Sequence, residues 1–248
     1  MNQQLNELHL FAGAGGGILG GILCGHTTVC AVEIEPYCRK VLLQRQRDGI
    51  LPKFPIWDDV QTFDGTPWRG KVDIICGGFP CQDISPARTN SKENGTQKGI
   101  QGKRSGLWSE MRRIIKEIKP QYCLIENSPQ LRTRGLSVVL QNLAAMGYNA
   151  GWGVFGVRQF GADHIRERLF ILASNTDLPQ RERGGLPGRI YQEHADLSRP
   201  DWWQSEPGVE RVADGMVNRV DRLKAIGNGQ VPAVAALAWQ ILSGNLHE

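Results

Sequence analysis

Cys81 stands in the string GGFPCQDIS, residues 77–85, directly after an apolar run at 72–76 that reads as a buried strand. A free thiol has a pKa near about 8.5 and reacts as the thiolate, so a nucleophilic role needs basic neighbours or exposed backbone amides. Glu126 closes a second apolar run and heads the triplet ENS. A carboxyl emerging from such a strand is a candidate for a raised pKa and for donating to a ring nitrogen; capping the following turn is the plainer role. Glu33 and Glu35 follow a third strand, where an acidic residue suits a ribose diol. The glycine run AGAGGG, 12–17, follows a fourth and suits close approach of backbone to a ligand. With a basic loop nearby, this set points to covalent chemistry on a nucleic-acid base.

The elements that must position these groups are read from apolar periodicity. Short apolar runs at 8–11, 29–32, 72–76, 122–125 and 169–173 predict strands, and helical spacing lies between several of them. Pro36 opens a helix that stops near Gly49, and Ser105 precedes one whose Leu107, Met111, Ile114, Ile115 and Ile118 share a face. A third helix groups Leu136, Val139, Leu140 and Leu143. The alternation predicts an α/β fold with a largely parallel sheet, in which ligands bind beyond the carboxyl ends of the strands. One cleft is therefore expected to gather all four strand ends. Read from Gly15 through Gly17 and Gly20, the chain also matches GxGxxG, but four residues past the strand, so the dinucleotide fingerprint is weak.

Composition narrows the classes. At 248 residues, 40% apolar and 22% charged, the chain is ordinary globular material with room for one core and a small appended module. No apolar run nears the roughly 18 residues of a membrane span and no signal peptide is evident, so a cytoplasmic protein without membrane contact is expected. The six cysteines, at 24, 30, 38, 76, 81 and 123, make no CxxC pair and no zinc-spaced cluster, so no metal is expected. Net charge is only +4, yet residues 86–105 carry Arg88, Lys92, Lys98, Lys103 and Arg104 against the single acid Glu93. That loop suits phosphate contact; a merely solvated surface loop is the alternative. Three parts are expected: 1–173, an irregular excursion at 174–217 containing Trp202 and Trp203, and 218–248, where Val234, Leu237, Ala238 and Ile241 return to helical spacing.

FAGAGGG, GGFPCQDIS, ENS, RERLF and GNGQVP, in this order and spacing, resemble the DNA cytosine-5 methyltransferase family over residues 8–173 and 222–239. The resemblance implies a Rossmann-like S-adenosylmethionine-dependent methyltransferase fold: a mostly parallel sheet with helices on both faces, plus a small irregular target-recognition module at 174–217. It implies that S-adenosylmethionine lies against Phe11, Ala12, Gly13, Gly15 and Gly16, with Leu19 in the helix behind. Glu33 would hold the ribose and Ile34 flank the adenine, with Asp59 and Val60 beside it and Asp58 as the other register. Pro80, Asn228 and Gly229 would complete the cofactor pocket. Cys81 would attack C6 of a flipped-out cytosine, Glu126 would hold N3 and the exocyclic amine, and Arg168, supported by Arg166, would contact O2. Gln82, Ser85, Arg88, Lys103 and Arg104 would contact double-stranded DNA. A monomer without an obligatory protein partner suffices for this chemistry, of the kind found in restriction-modification enzymes.

The chain departs from the family pattern in places. Ser128 replaces the usual valine of ENV, and Asp163 and His164 replace Pro-Gln ahead of RERLF. Arg219 and Arg222 stand for an arginine- and leucine-rich block that is otherwise missing. Residues 174–215 hold five Arg and eight Asp or Glu with no Lys, which argues for base-edge contacts over phosphate attraction, and for a short recognition sequence. Cytosine-5 methylation of transfer RNA, a catalytically silent DNA-binding module and a thiol redox or dinucleotide enzyme are the competing readings.

Overall fold

The computed structural model describes residues 4–80, 106–160, 166–178 and 219–245. Cys81, the basic loop, His164 and nearly all of the expected recognition module therefore lie outside the described residues.

Seven strands form one sheet in the order β3-β2-β1-β4-β5-β7-β6. They are β1 (Asn6–Leu10), β2 (Thr27–Val32), β3 (Ile56–Trp57), β4 (Ile74–Gly77), β5 (Tyr122–Asn127), β6 (Tyr148–Gly156) and β7 (Glu167–Asn175). β1 to β5 pair in parallel, whereas β7 runs antiparallel to both β5 and β6. The helices are α1 (Gly16–Leu23), α2 (Pro36–Arg47), α3 (Leu107–Ile118), α4 (Leu131–Arg134), α5 (Leu136–Ala144), α6 (Arg219–Asn228) and α7 (Pro232–Asn245).

The period of two along each strand sorts the core into two layers. Ile75, Cys123, Ile125, Leu169 and Ile171 pack with α3 and α5 on one face. Ile74, Cys76, Tyr122, Leu124, Phe170 and Leu172 pack with α7 on the other. Burial on both faces is why these strands read as continuous apolar runs in the sequence. Helix ends follow local chemistry: Pro36 occupies the first turn of α2, and α3 stops at Lys119, whose φ of 52° is left-handed, just before Pro120.

The expected α/β fold with helices on both faces is the observed one, with differences at the periphery. β3, β6 and α6 were not expected, and the antiparallel entry of β7 was not foreseen. β6 contains Gly151, Gly153 and Gly156 and an exposed Trp152, so it lacks the alternation that marks a strand. β3 is two residues long, too short for any periodic signal.

Beneath α1 the buried Glu7 carboxylate accepts from His9 Nε2 at 2.8 Å and from His26 Nδ1 at 2.7 Å. Burial alone would raise this carboxyl, yet the two imidazoles hold it down at about 2. Gly21 packs on this cluster, and a Cβ there would overlap Glu7 Oε2. Gly21→Ala tests the packing, because helix propensity alone predicts a gain of about 1 kcal/mol. Overpacking against a carboxylate fixed by two rings is expected to cost about 1–3 kcal/mol net in urea denaturation. A more stable variant would show that the carboxylate yields freely.

Candidate active site

The carboxyl ends of β1, β2, β4 and β5 open on a cleft of about 920 Å³. Phe11, Gly13, Glu33, Ile34, Asp59, Val60, Pro80, Glu126, Arg168 and Asn228 line it, so one cavity gathers these sequence-predicted residues. Ala12, Gly15, Gly16, Leu19, Arg166 and Gly229 are not on its wall. Ala12 and Leu19 pack instead on the Ile18, Leu42 and Phe54 cluster behind it, and Gly16 packs on the Gln230 backbone so closely that a Cβ would overlap the carbonyl.

At one end, Glu33 is held by backbone amides: Gly13 N–H donates to Oε2 at 2.6 Å and Glu35 N–H to Oε1 at 2.7 Å. Burial raises its pKa, and these two amides pull the other way. Each oxygen keeps a lone pair for a further donor, which is what a vicinal diol requires. Phe11 enters this turn with φ of 56°, a left-handed conformation that a phenylalanine adopts only where the surroundings impose it. Ile34 is 61% exposed at the cleft, an apolar face open to a flat ring. Asp59 Oδ1 accepts from Gln61 N–H at 2.9 Å, leaving its other oxygen able to accept an amine proton.

At the other end, Glu126 pairs with Arg168 Nε at 2.9 Å. The register explains the pair: Glu126 lies opposite Phe170, and Arg168 is two residues away on the same face of antiparallel β7. Gly78 lies against Glu126 so closely that a Cβ would overlap Oε2. Phe79 anchors the loop, buried beside Trp108 with centroids 5.5 Å apart, and its carbonyl accepts from Asn127 Nδ2 at 3.1 Å. The GGFP string is thus the set of residues that lets a loop lie flat on a buried carboxyl. Arg166 Nη2 donates to the carbonyls of Gly227, at 3.1 Å, and Gly229. Arg166 therefore ties β7 to the GNG segment and stands off the cleft wall.

Burial pushes Glu126 up to about 7, against the pull of Arg168 and Arg166. All five described cysteines are buried, and burial raises every one of their thiols: Cys30 and Cys38 to about 11, Cys24 to about 12, and Cys76 and Cys123 well above the ordinary value. None of the five offers a thiolate near neutral pH.

Sequence reasoning missed Tyr37, Cys38, Asp221, Lys224 and Gly227 on the cleft wall. Lys224 Nζ bridges to Glu35 Oε1 at 2.5 Å, carrying α6 over to the start of α2. A two-residue acidic pattern after β2 hinted at Glu35; nothing local marked Lys224.

One described group has metal-like composition: ligand atoms of Glu7, His9 and Cys76 lie within 4.8 Å of one another. Tetrahedral zinc with bonds near about 2.0–2.1 Å would hold N and O about 3.3 Å apart. The Glu7–His9 and Glu7–His26 contacts, 2.8 and 2.7 Å, are hydrogen-bond distances, so these groups share protons.

The sheet order and the strand-end cleft are those of a Rossmann-like methyltransferase fold. The Entamoeba histolytica methyltransferase EhMeth superposes with a TM-score of 0.66 at 14% identity, covering 99% of this chain and 100% of that one. The S. pombe Dnmt2 methyltransferase gives a TM-score of 0.56 at 20% identity, over 84% and 59% of the two chains. In sequence, residues 5–229 match the C-5 cytosine-specific DNA methylase family, and the chain belongs to it. Type II methyltransferase M.PspPI of Psychrobacter sp. is 36% identical over 197 residues, 77% of this chain and 44% of its own. M.CviJI, from a Paramecium bursaria Chlorella virus, is 34% identical over 205 residues, 82% and 50%. The chain spans about half the length of these curated relatives. Among the described residues no helix is long and apolar enough to cross a membrane.

The Glu126 titration has a testable sign. Its folded pKa of about 7 exceeds the ordinary 4.5, so the folded protein holds the extra proton between those values. That stabilisation is complete below the ordinary value and is lost as pH rises through the folded one. Relative to Glu126→Gln, the wild type is expected to lose stability between about pH 5 and about pH 8 in urea denaturation. Parallel pH profiles for the two proteins would contradict the shifted carboxyl.

Proposed function

We propose that this chain transfers a methyl group from S-adenosylmethionine to C5 of a flipped-out cytosine in double-stranded DNA through a covalent Cys81–C6 adduct. The observation that carries the reading is the pair of buried Glu126 with half-buried Arg168, in one cleft with Glu33 and with Pro80, to which Cys81 is bonded in sequence. S-adenosylmethionine supplies an electrophilic methyl group when bound. The donor set fits it: Glu33 for the ribose diol, Ile34 and Val60 for the adenine faces, Asp59 for its amine, and Asn228 with the first glycine turn toward the methionine.

Cytosine C5 is too weak a nucleophile to act alone. The Cys81 thiolate adds to C6, forming a C–S bond and moving the ring's electron pair to C5. Glu126, pushed up to about 7 and so carrying a proton in a large share of molecules at neutral pH, donates toward N3 and so stabilises the charge that develops there, while Arg168 stands ready for O2. Once C5 has taken the methyl group, with the sulfonium S–CH3 bond broken and S-adenosylhomocysteine as the leaving group, the C5 proton leaves to a base and the C6–S bond breaks, returning the thiolate. With its other thiols buried and raised, the chain has Cys81 as the cysteine left for this role.

The DNA contacts fall to Gln82, Ser85, Arg88, Lys103 and Arg104, and Arg166 supports Arg168 through the GNG carbonyls. Residues 174–217 would read a short target sequence beside the 1–173 catalytic part and the 218–248 return. The reading includes a cytoplasmic monomer. Labelled S-adenosylmethionine offered to unmethylated duplex DNA and to transfer RNA is the test. Label is expected in DNA with the wild type and in neither with Cys81→Ser; label in RNA only, or none with the wild type, would overturn the proposal. Glu33→Ala is expected to raise KM for S-adenosylmethionine by about tenfold or more, the scale of one lost charge-assisted hydrogen bond or two.

A further inference from the structure

The cleft wall at Asp59, Val60 and Gln61 belongs to no regular element, since it lies between two-residue β3 and the 3₁₀ turn Thr66–Trp68. Backbone carbonyls in such a stretch need partners from elsewhere. Val60 O accepts from Arg113 Nη2 at 2.9 Å and Phe63 O from Arg113 Nη1 at 2.9 Å. Arg113 stands on α3, outside the cleft.

We infer that Arg113 is a positioning residue for cofactor binding: it fixes the turn that forms the adenine side of the cleft. The inference rests on the cofactor reading above. The guanidinium is itself fixed before it meets the turn. Nε donates to Glu110 Oε2 at 2.9 Å and Nη1 to Glu117 Oε1 at 2.7 Å, at i−3 and i+4 on the same helix. Glu117 Oε2 also accepts from Gly65 N–H at 2.8 Å, so one clamp holds the segment at Val60, Phe63 and Gly65. On the far side of that segment, Val60 lines the cleft and Asp59 makes its own turn through Gln61 N–H. A planar fork meeting two carboxylates and two carbonyls at once is work for arginine; an ammonium meets such a set one point at a time.

A purely structural Arg113 would lower thermal stability and leave the folded protein's affinity alone. A positioning Arg113 changes binding of anything that uses the adenine wall. The test measures equilibrium binding of S-adenosylmethionine and of adenosine by calorimetry, and methyl transfer to duplex DNA, for wild type, Arg113→Lys, Arg113→Met and Glu117→Gln, all well below their melting temperatures. The expected result is a Kd for both ligands raised about tenfold in Arg113→Met, less in the other two, with KM following and kcat at saturating cofactor near that of the wild type. Should Arg113→Met fail to fold, Arg113→Lys and Glu117→Gln carry the test with the same expected direction. Unchanged binding of both ligands, or a fall in kcat with KM unmoved, would overturn the inference and leave the cofactor reading standing. A wild type that binds neither ligand would overturn the cofactor reading and this inference with it.

Discussion

Everything in the cleft depends on a carboxyl kept out of water. Glu126 lies at the carboxyl end of a strand buried on both faces, one residue before its last, and its desolvation is strong enough to outweigh the two nearby guanidinium groups. An isolated buried charge of this kind would be very costly, and the cost is met in two ways: the group takes up a proton, or Arg168 compensates it. The antiparallel direction of β7 is what makes the second possible. In a wholly parallel sheet, the residues at the start of a strand sit at the opposite edge from the ligands. Reversal of β7 brings the beginning of that strand to the cleft, and with it Arg168, while Arg166 just ahead of the strand reaches the GNG carbonyls.

The loop after β4 and the segment after α6 are fitted around that carboxyl. Gly78 allows backbone to lie on Glu126, Phe79 locks the loop to α3, and Asn127 closes it from β5. Arg166 reaches back to the GNG carbonyls, so the start of β7 and the end of α6 share one hydrogen-bonded strut. At the other end of the cleft a second buried carboxyl, Glu33, is handled differently, by two backbone amides in place of a guanidinium.

Much of this was visible in the sequence, for a physical reason. Strands buried on both faces must be apolar throughout, so the residues that follow them stand out, and Glu33, Glu126 and the glycine run could be placed by that alone. The same logic failed where burial was partial or the element short, as in β6 and β3. It also failed where a side chain acts across the fold. Arg113 and Lys224 look like ordinary solvated charges in a linear reading, because their partners lie 53 and 189 residues away. Contacts of that range leave no mark on local periodicity.

Gly16 and Gln230 touch across most of the chain. During synthesis the first glycine turn emerges early, but the wall that α6 and the GNG segment contribute is translated more than two hundred residues later. Until α6 follows, the cleft lacks the wall that Asp221, Lys224 and Asn228 provide. Chain order thus sets assembly order: a polypeptide cut short ahead of α6 would carry the glycine turn without the side of the cleft that Lys224 and Asn228 form.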